Sequence, residues 1–203
     1  MSRMKQILII VSFIVFIANI AIASNWKENA KAIQVSGGED HTLVLTANKW
    51  PWACGPNGGP GPYYGVLGTG STSTALIAKT LIRVWDGDMN TPSGYLEDIT
   101  DVAGGWKHSL ALDVNSFVWA WGWNSAGQLG DNQQSSPYYS STPVQVHGVD
   151  NVGYLRYIIA ISAGRSGQHS LAVDANGYAY GWGYNKYGQC GNGESGSFVK
   201  DFA

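Results

Sequence analysis

The chain has 203 residues, enough for one or two domains with a sizeable hydrophobic core. Only 13% of the residues are charged, whereas 27 glycines, 9 tryptophans and 11 tyrosines predict many tight turns and strands packed through large rings. The formal net charge of −2 and the absence of a basic run exclude the electrostatic footprint of a nucleic-acid-binding protein. We therefore expect an all-β protein without a nucleic-acid partner.

Residues 1–24 have the pattern of an export signal. Arg3 and Lys5 precede an apolar stretch over 7–23, in which Ala21 and Ala23 form an A-x-A cleavage pattern. This predicts an N-terminal signal helix, a short linker over 25–32, and a secreted or periplasmic mature protein. An uncleaved anchor stays open, because 17 mostly apolar residues are at the lower limit for spanning a bilayer. In that case the protein would contact the membrane through this segment alone.

A long phrase occurs twice in the chain. "HSLALDVNSFVWAWGWNSAGQLGD" begins at His108 and "HSLAVDANGYAYGWGYNKYGQCGN" begins sixty-one residues later at His169, while a more divergent copy begins at His41. Such a period indicates one supersecondary unit stacked on itself. We divide the chain into repeats over 33–100 (divergent, with insertions), 101–158 and 159–203 (incomplete). The recurring positions that we interpret as structural are His41, His108, His169, Trp121, Trp182, Gly122, Gly183, Gly127, Gly188, Gly130 and Gly191.

Each repeat contains several short strand patterns. Apolar residues alternate with small ones in "SLAL" and "FVWAW", and the intervening "DVNS" and "DANG" are turn sequences. "VAGG" predicts a further strand, and Leu81–Gly87 and Thr142–Gly148 predict the fourth strand of the first two units. Four short strands and corner glycines are typical of a propeller blade. The sequence thus predicts a partial β-propeller of about three four-stranded blades after the signal helix.

The segments "AGGWKHSLALD", "WAWGWNSAGQLGD" and "STPVQV" resemble the repeat of the regulator of chromosome condensation family. The resemblance implies blades like those of seven-bladed β-propellers, here in an exported bacterial-type member. The first repeat departs from the pattern, because Cys54 stands where the other copies have tryptophan before the glycine. Three blades alone would expose two apolar faces. We expect the chain to be a fragment of a longer ring; in the alternative, several copies assemble to complete one.

Other residues that are capable of chemistry have structural interpretations. Equivalent histidines in successive blades should lie too far apart for one metal ion, and we expect each imidazole to bond backbone at a strand start. Cys54 and Cys190 occupy different repeat positions, so we interpret them as small apolar fillers, with a disulfide left open.

One acidic segment has the oxygen spacing of a calcium loop. It consists of Asp86, Asp88, Asn90 and Glu97. Thr91 stands at the position where calcium loops need glycine, and a proline follows it, so we interpret the segment as an acidic surface loop and leave calcium open. Phosphate-binding, hydrolase and zinc motifs are absent from the sequence, and we expect neither a cofactor nor enzymatic activity.

Loops between strands carry binding in propellers. Two predicted loops contain paired tyrosines, Tyr63 with Tyr64 and Tyr138 with Tyr139, which suit a protein interface or simply anchor the loops. The leading hypothesis is a scaffold that binds another protein, as the resemblance to a secreted β-lactamase-inhibiting propeller of the family also implies. The alternative is a carbohydrate-binding or cell-envelope hydrolytic propeller. Guanine nucleotide exchange, known from the family's nuclear member, is the least favoured reading.

Overall fold

The fold is given by a computed structural model that describes residues 31–58, 65–73, 76–87, 91, 94–133, 138–193 and 195. The predicted signal segment 1–24 and the pair Tyr63 and Tyr64 lie outside these residues. The described residues contain no α-helix and one short 3-10 helix, Val149–Asn151. No helix in this part of the chain is long and apolar enough to cross a membrane.

The described strands form three antiparallel sheets, one for each repeat. Blade 1 contains β1 (Ala32–Gly37), β2 (Thr42–Thr46), β3 (Pro51–Pro56) and β4 (Ile77–Arg83). Blade 2 contains β5 (Ile99–Gly104), β6 (His108–Asp113), β7 (Val118–Trp123) and β8 (Tyr139–Gln145). Blade 3 contains β9 (Ile158–Ala163), β10 (His169–Asp174) and β11 (Ala179–Gly183). Neighbouring strands in each sheet are consecutive in sequence, as expected for the meander of a propeller blade. The predicted all-β architecture with blade-like sheets is therefore confirmed.

The fourth strands lie earlier in the chain than predicted. β4 ends at Arg83 and β8 ends at Gln145, because the next alternating residue, Trp85 or His147, leaves the sheet and forms an isolated bridge. β8 also includes Pro143, which is tolerated because this strand is at the edge of its sheet. The alternation of apolar and polar residues in the sequence continues past the ends of β4 and β8, so it does not show where these strands end.

The hydrophobic core lies between the blades. One buried cluster joins blades 1 and 2 through residues such as Leu43, Leu45 and Trp121, and a second joins blades 2 and 3 through Leu110 and Trp182. Every residue of β6 and β7 is buried, because blade 2 is covered on both faces. β10 instead alternates between buried and half-buried residues, since blade 3 is covered on one face.

Candidate protein-binding surface

Adjacent blades are joined by a short chain of hydrogen bonds that we call the interblade clasp. Between blades 1 and 2, Nε2 of His41 lies 2.9 Å from Oγ of Ser109. The Ser109 hydroxyl donates to the carbonyl of Val66 at 3.0 Å. The indole of Trp121 donates to the same carbonyl at 2.9 Å. Each clasp therefore takes its histidine and carbonyl from one blade and its serine and tryptophan from the next.

The second clasp, between blades 2 and 3, repeats this geometry. Nε2 of His108 lies 3.0 Å from Oγ of Ser170. Ser170 and Trp182 both donate to the carbonyl of Gln128, each at 2.9 Å. Because the serine hydroxyl donates its proton to the carbonyl, the histidine is the donor to serine and carries a proton on Nε2. The clasp therefore requires a proton on Nε2, which a neutral imidazole carries in one of its two tautomers.

The prediction that the repeat histidines bond backbone groups at a strand start is wrong for His41 and His108. His41 and His108 bond serine hydroxyls of the following blade, because the imidazole points across the interface and not along its own strand. Glycine permits this orientation. A Cβ on Gly105 would lie only 2.1 Å from Cε1 of the His108 ring. The structural interpretation of these histidines is nevertheless supported by their place in the clasps.

Burial holds both clasp histidines neutral. Loss of hydration, together with the positive charge of Lys107, lowers the pKa of His41 to about 4. Loss of hydration also lowers the pKa of His108 to about 3. Nδ1 of His108 has no hydrogen-bond partner, so a second proton on this ring would be a buried and unpaired donor. Bases this weak are poor candidates for general-base catalysis at neutral pH.

A recurring asparagine shapes the loop that presents the clasp carbonyl. Oδ1 of Asn57 accepts a hydrogen bond from the backbone of Leu67, the residue after Val66. Asn124 does the same for Leu129. The glycine that follows the apolar residue keeps the loop close to the next blade, since a Cβ on Gly130 would lie 3.0 Å from the Trp182 indole nitrogen. Asn124 and Gly130 therefore help to form the interface between blades 2 and 3.

Repeat aspartates close the hairpin turns. Oδ1 of Asp113 accepts from the backbone of Asn115 and Phe117, and Oδ2 accepts from the Trp119 indole at 3.0 Å. Asp174 bonds its own turn in the same way. These carboxylates are used structurally, as the turn sequences predicted.

The acidic segment is engaged in other contacts where the structure describes it. Oδ2 of Asp86 accepts from the backbone of Thr91 at 2.6 Å. Glu97 forms an ion pair with Arg83 at 3.2 Å. Asp88 and Asn90 lie outside the described residues, and the described residues contain no group of three or more His, Cys, Asp or Glu side chains able to hold a metal ion. Calcium binding stays an open hypothesis.

The outer edge of blade 1 carries exposed aromatic rings that have no part in the clasps. Trp85 and Tyr95 form an antiparallel bridge and are 49% and 36% exposed. The Arg83 guanidinium lies between two rings, 4.2 Å from the centre of Trp50 and 4.5 Å from that of Tyr95. Because the same guanidinium pairs with Glu97, the cation and the rings are held in place.

Blade 2 repeats this arrangement at its own outer edge. His147 and Tyr154 form the corresponding bridge, with ring centres 5.5 Å apart in an edge-to-face contact. Trp85, Tyr95, His147 and Tyr154 together are called the aromatic rim below. Both bridges follow the fourth strand of their blade, so the rim recurs with the repeat.

The tyrosine pairs predicted for binding have a different placement. Tyr138 is exposed and immediately precedes β8, and its carbonyl accepts from the backbone of Asn124 at 2.8 Å. Tyr139 is the first residue of β8 and pairs with Trp123. Tyr63 and Tyr64 lie outside the described residues, so the binding role of the pairs remains a prediction.

Sequence reasoning missed the aromatic rim, although a signal was present. "GYLE" from Gly94 and "GYLR" from Gly153 repeat a Gly-Tyr-Leu tripeptide outside the long aligned phrase. The preceding ring is tryptophan in one copy and histidine in the other, and loops of unequal length separate it from the tripeptide. The bridge between the two segments is visible only in the fold.

Comparison with known proteins agrees with this geometry. The chain matches the Regulator of chromosome condensation (RCC1) repeat over residues 99–128 and 158–189, and a second description of that repeat over 116–173. The chain thus carries RCC1 repeats.

Several curated relatives are similar over most of the chain. It is 28% identical over 172 residues to the Ultraviolet-B receptor UVR8 of Arabidopsis thaliana, covering 83% of this chain and 33% of that protein. It is 32% identical over 161 residues to the human Probable E3 ubiquitin-protein ligase HERC6, covering 79% of this chain and 14% of that protein. It is 29% identical over 159 residues to the Protein RCC2 homolog of Danio rerio, covering 78% and 27%. The chain therefore spans about a third or less of the length of these relatives.

Solved structures share the fold. Prp20p from Saccharomyces cerevisiae superposes with a TM-score of 0.65 at 20% identity, covering 85% of this chain and 37% of that one. Human WBSCR16 superposes with a TM-score of 0.63 at 20% identity, covering 86% and 38%.

Proposed function

Because this chain carries RCC1 repeats, we propose that it is an exported β-propeller scaffold that binds another protein. The fold is typical of protein–protein interaction. Prp20p, which shares it, was described together with its binding to Gsp1p and histones. The buried histidines and aspartates of the repeats serve packing, which favours binding over catalysis. We expect the partner to be bound by residues that the core does not use.

The aromatic rim is the observation that carries this proposal. Large exposed rings bury much area at little cost in conformational entropy, because each has only two side-chain torsions. Trp85 is fixed from beneath, since a Cβ on Gly70 would lie 2.9 Å from its ring. Arg83 packs against Trp50 and Tyr95, and its charge is paired with Glu97, so the blade 1 part of the rim is a rigid aromatic surface. Aromatic rings and arginine are the residues most enriched among binding hot spots.

We expect substitution of the rim to abolish partner capture without unfolding the chain. A Trp85→Ala, Tyr95→Ala double variant and the wild type would be immobilised and exposed to cell-envelope extracts, and captured proteins quantified by mass spectrometry. Tyr187→Ala is the matched control, because this tyrosine is 77% exposed in the loop after β11. A protein captured by the wild type and the control, and reduced at least about tenfold by the rim variant, supports the proposal; one hot-spot ring contributes 2 kcal/mol or more, roughly a thirtyfold change in affinity.

Carbohydrate is the competing ligand for exposed tryptophan and tyrosine. The same three proteins would be applied to a glycan array. Binding to sugars that depends on Trp85 and Tyr95, with no captured protein that depends on them, would overturn the protein-binding proposal.

Export is tested separately by the mass of the protein recovered from its native cell. Cleavage after Ala23 would leave a mature chain that begins at Ser24, outside the cytoplasm. Intact-mass spectrometry of fractionated cells should therefore find the shortened chain in the periplasm or the medium. Recovery of the complete chain in the cytoplasm would contradict export and would leave the rim experiment unaffected.

A further inference from the structure

The outer edges of blades 1 and 2 carry different charges at equivalent positions. In blade 1, Arg83 ends β4 and pairs with Glu97, two residues after the tyrosine of the rim bridge. In blade 2 the equivalent residues are Gln145, which ends β8, and Arg156, two residues after the tyrosine of that bridge. Blade 2 therefore has an arginine in the place of the acid and a neutral amide in the place of the arginine.

Arg156 has no acidic partner in the part of the chain that the structure describes. It is exposed, and neither Arg156 nor Asp150, the acid nearest to it in the chain, forms an ion pair with a described residue. Blade 2 packs against a blade on each side, and residues 138–193 are all described. The exposure of this edge is thus a property of the complete blade. The carboxylate that blade 1 supplies to its arginine has no described counterpart in blade 2.

Tyr157 holds the Arg156 guanidinium and carries backbone strain. The guanidinium lies 5.5 Å from the centre of the Tyr157 ring, which is 62% exposed. Tyr157 has a φ of 63°, a left-handed conformation that is unfavourable for a bulky residue. Blade 1 has Asp98 at this place with a φ of 55°, and aspartate tolerates that conformation better.

The fold explains the backbone conformation of Tyr157 but not its ring. The carbonyl of Tyr157 accepts from the backbone of Ala175 at 3.0 Å, just as the carbonyl of Asp98 accepts from Val114 at 2.8 Å. An aspartate therefore serves this turn in blade 1, and the exposed tyrosine ring adds little to the core. Strained residues that the core does not need are concentrated at functional sites.

Exposed apolar side chains lie close to Arg156 in the chain. Val152 is 76% exposed and Val149 is 44% exposed. Tyr154 is 49% exposed, and its ring is held edge-to-face against His147. Valine side chains can pack against an apolar side chain but cannot bond sugar hydroxyls, which favours a peptide ligand over a carbohydrate. Val149, Val152, Tyr154, Arg156 and Tyr157 are called the blade 2 patch below.

We propose, building on the protein-binding function proposed above, that the blade 2 patch binds an acidic segment of the partner protein. An Asp or Glu carboxylate of that segment pairs with Arg156, and a neighbouring apolar side chain packs on Tyr154 and Val152. The carboxylate takes the part that Glu97 has in blade 1, where it lies 3.2 Å from the arginine. The Tyr157 ring orients the guanidinium beforehand, which lowers the entropy cost of binding.

The test selects peptides and then removes one charge from each side of the contact. Random linear peptides displayed on phage would be selected on the immobilised full chain. The most enriched peptide would be synthesised twice, once as selected and once with each Asp or Glu replaced by its amide. Fluorescence anisotropy would measure both peptides on the wild type and on Arg156→Gln. These four affinities give the coupling between the peptide carboxylate and Arg156.

We expect the selected peptides to combine Asp or Glu with a nearby apolar residue. Replacing the acids by amides should weaken binding to the wild type about fivefold or more, and should leave binding to Arg156→Gln unchanged. A Gln145→Arg, Arg156→Glu double variant rebuilds the blade 1 pair inside blade 2 and should also lose the preference for the acidic peptide. All these positions are at least partly exposed, so the melting temperature of each variant should stay near that of the wild type.

Lys186→Gln is the matched control. The Lys186 ammonium lies 5.5 Å from the ring of Tyr187, so this variant removes the same charge beside another exposed tyrosine. It should bind the acidic peptide as the wild type does. An equal loss for Lys186→Gln and Arg156→Gln would overturn the proposal, because the effect would then come from net charge alone.

Two further results would overturn the proposal. One is a selection that enriches no acidic peptide. The other is an acid-to-amide effect that is the same for the wild type and Arg156→Gln, since the carboxylate would then bind elsewhere. Either result leaves the capture experiment on Trp85 and Tyr95 unaffected, because that experiment concerns blade 1. Failure of the capture experiment would contradict the proposed function, whereas the peptide affinities are measured without it.

Discussion

Replacing Trp121 with alanine is expected to lower the free energy of unfolding by about 3 to 5 kcal/mol. The Trp121 side chain is fully buried between blades 1 and 2, and its indole donates to the carbonyl of Val66. The substitution removes a large apolar surface and one of the two hydrogen bonds to the Val66 carbonyl, and it leaves a cavity between the blades. Chemical denaturation followed by tryptophan fluorescence and circular dichroism would measure the change.

Trp85→Ala is the matched control, because it removes the same side chain from a half-exposed site. Its cost should stay near or below about 1 kcal/mol, which is ordinary for a substitution outside the core. Equal losses for the two variants, or a loss below 1 kcal/mol for Trp121→Ala, would contradict a clasp that joins the blades.

Acid should destabilise the protein before its carboxylates are fully protonated. In the native state burial holds the pKa of His41 at about 4 and that of His108 at about 3, whereas both titrate near 6.5 in an unfolded chain. Below pH 6.5 these two histidines therefore bind protons in the unfolded state but not in the native state. The stability contributed by the neutral imidazoles is complete above pH 6.5 and is lost as the pH falls from there towards the native pKa. From pH 7.5 to pH 4.5 the loss should be about 2 to 3 kcal/mol for each histidine.

The variant His108→Gln isolates this contribution. The glutamine amide can still donate to Ser170 but does not titrate, so the loss between pH 7.5 and pH 4.5 should be about 2 to 3 kcal/mol smaller than in the wild type. Urea unfolding of both proteins at the two pH values supplies the comparison. Identical losses would mean that His108 takes up its proton in the folded protein without difficulty, and the neutral clasp would be wrong.

Short-range sequence patterns were sufficient to predict the blades. The turn sequence "DVNS" predicts a hairpin because the Asp113 side chain can bond the turn that it starts. Alternation in "FVWAW" predicts a strand because side chains point to opposite sides of a sheet. Recurrence of the long phrase then implies stacking, since one such unit cannot bury its own apolar faces. These inferences depend on neighbours a few residues apart, and a sequence records such neighbours directly.

The partners across the interfaces were not predictable in this way. His41 and Ser109 are 68 residues apart, and Val66 lies in a loop whose length differs between repeats. The same limitation hid the aromatic rim, where loops of different length bring Trp85 to Tyr95 and His147 to Tyr154.

The sequence by itself therefore determined the all-β class and the recurrence of a blade-like sheet, because these follow from local turn and strand chemistry. The tertiary structure decided which groups meet in the clasps and in the aromatic rim. The physical reason is that each sheet packs through both of its faces. The partner of a residue then lies on the neighbouring blade at a different repeat position, as His41 and Ser109 show.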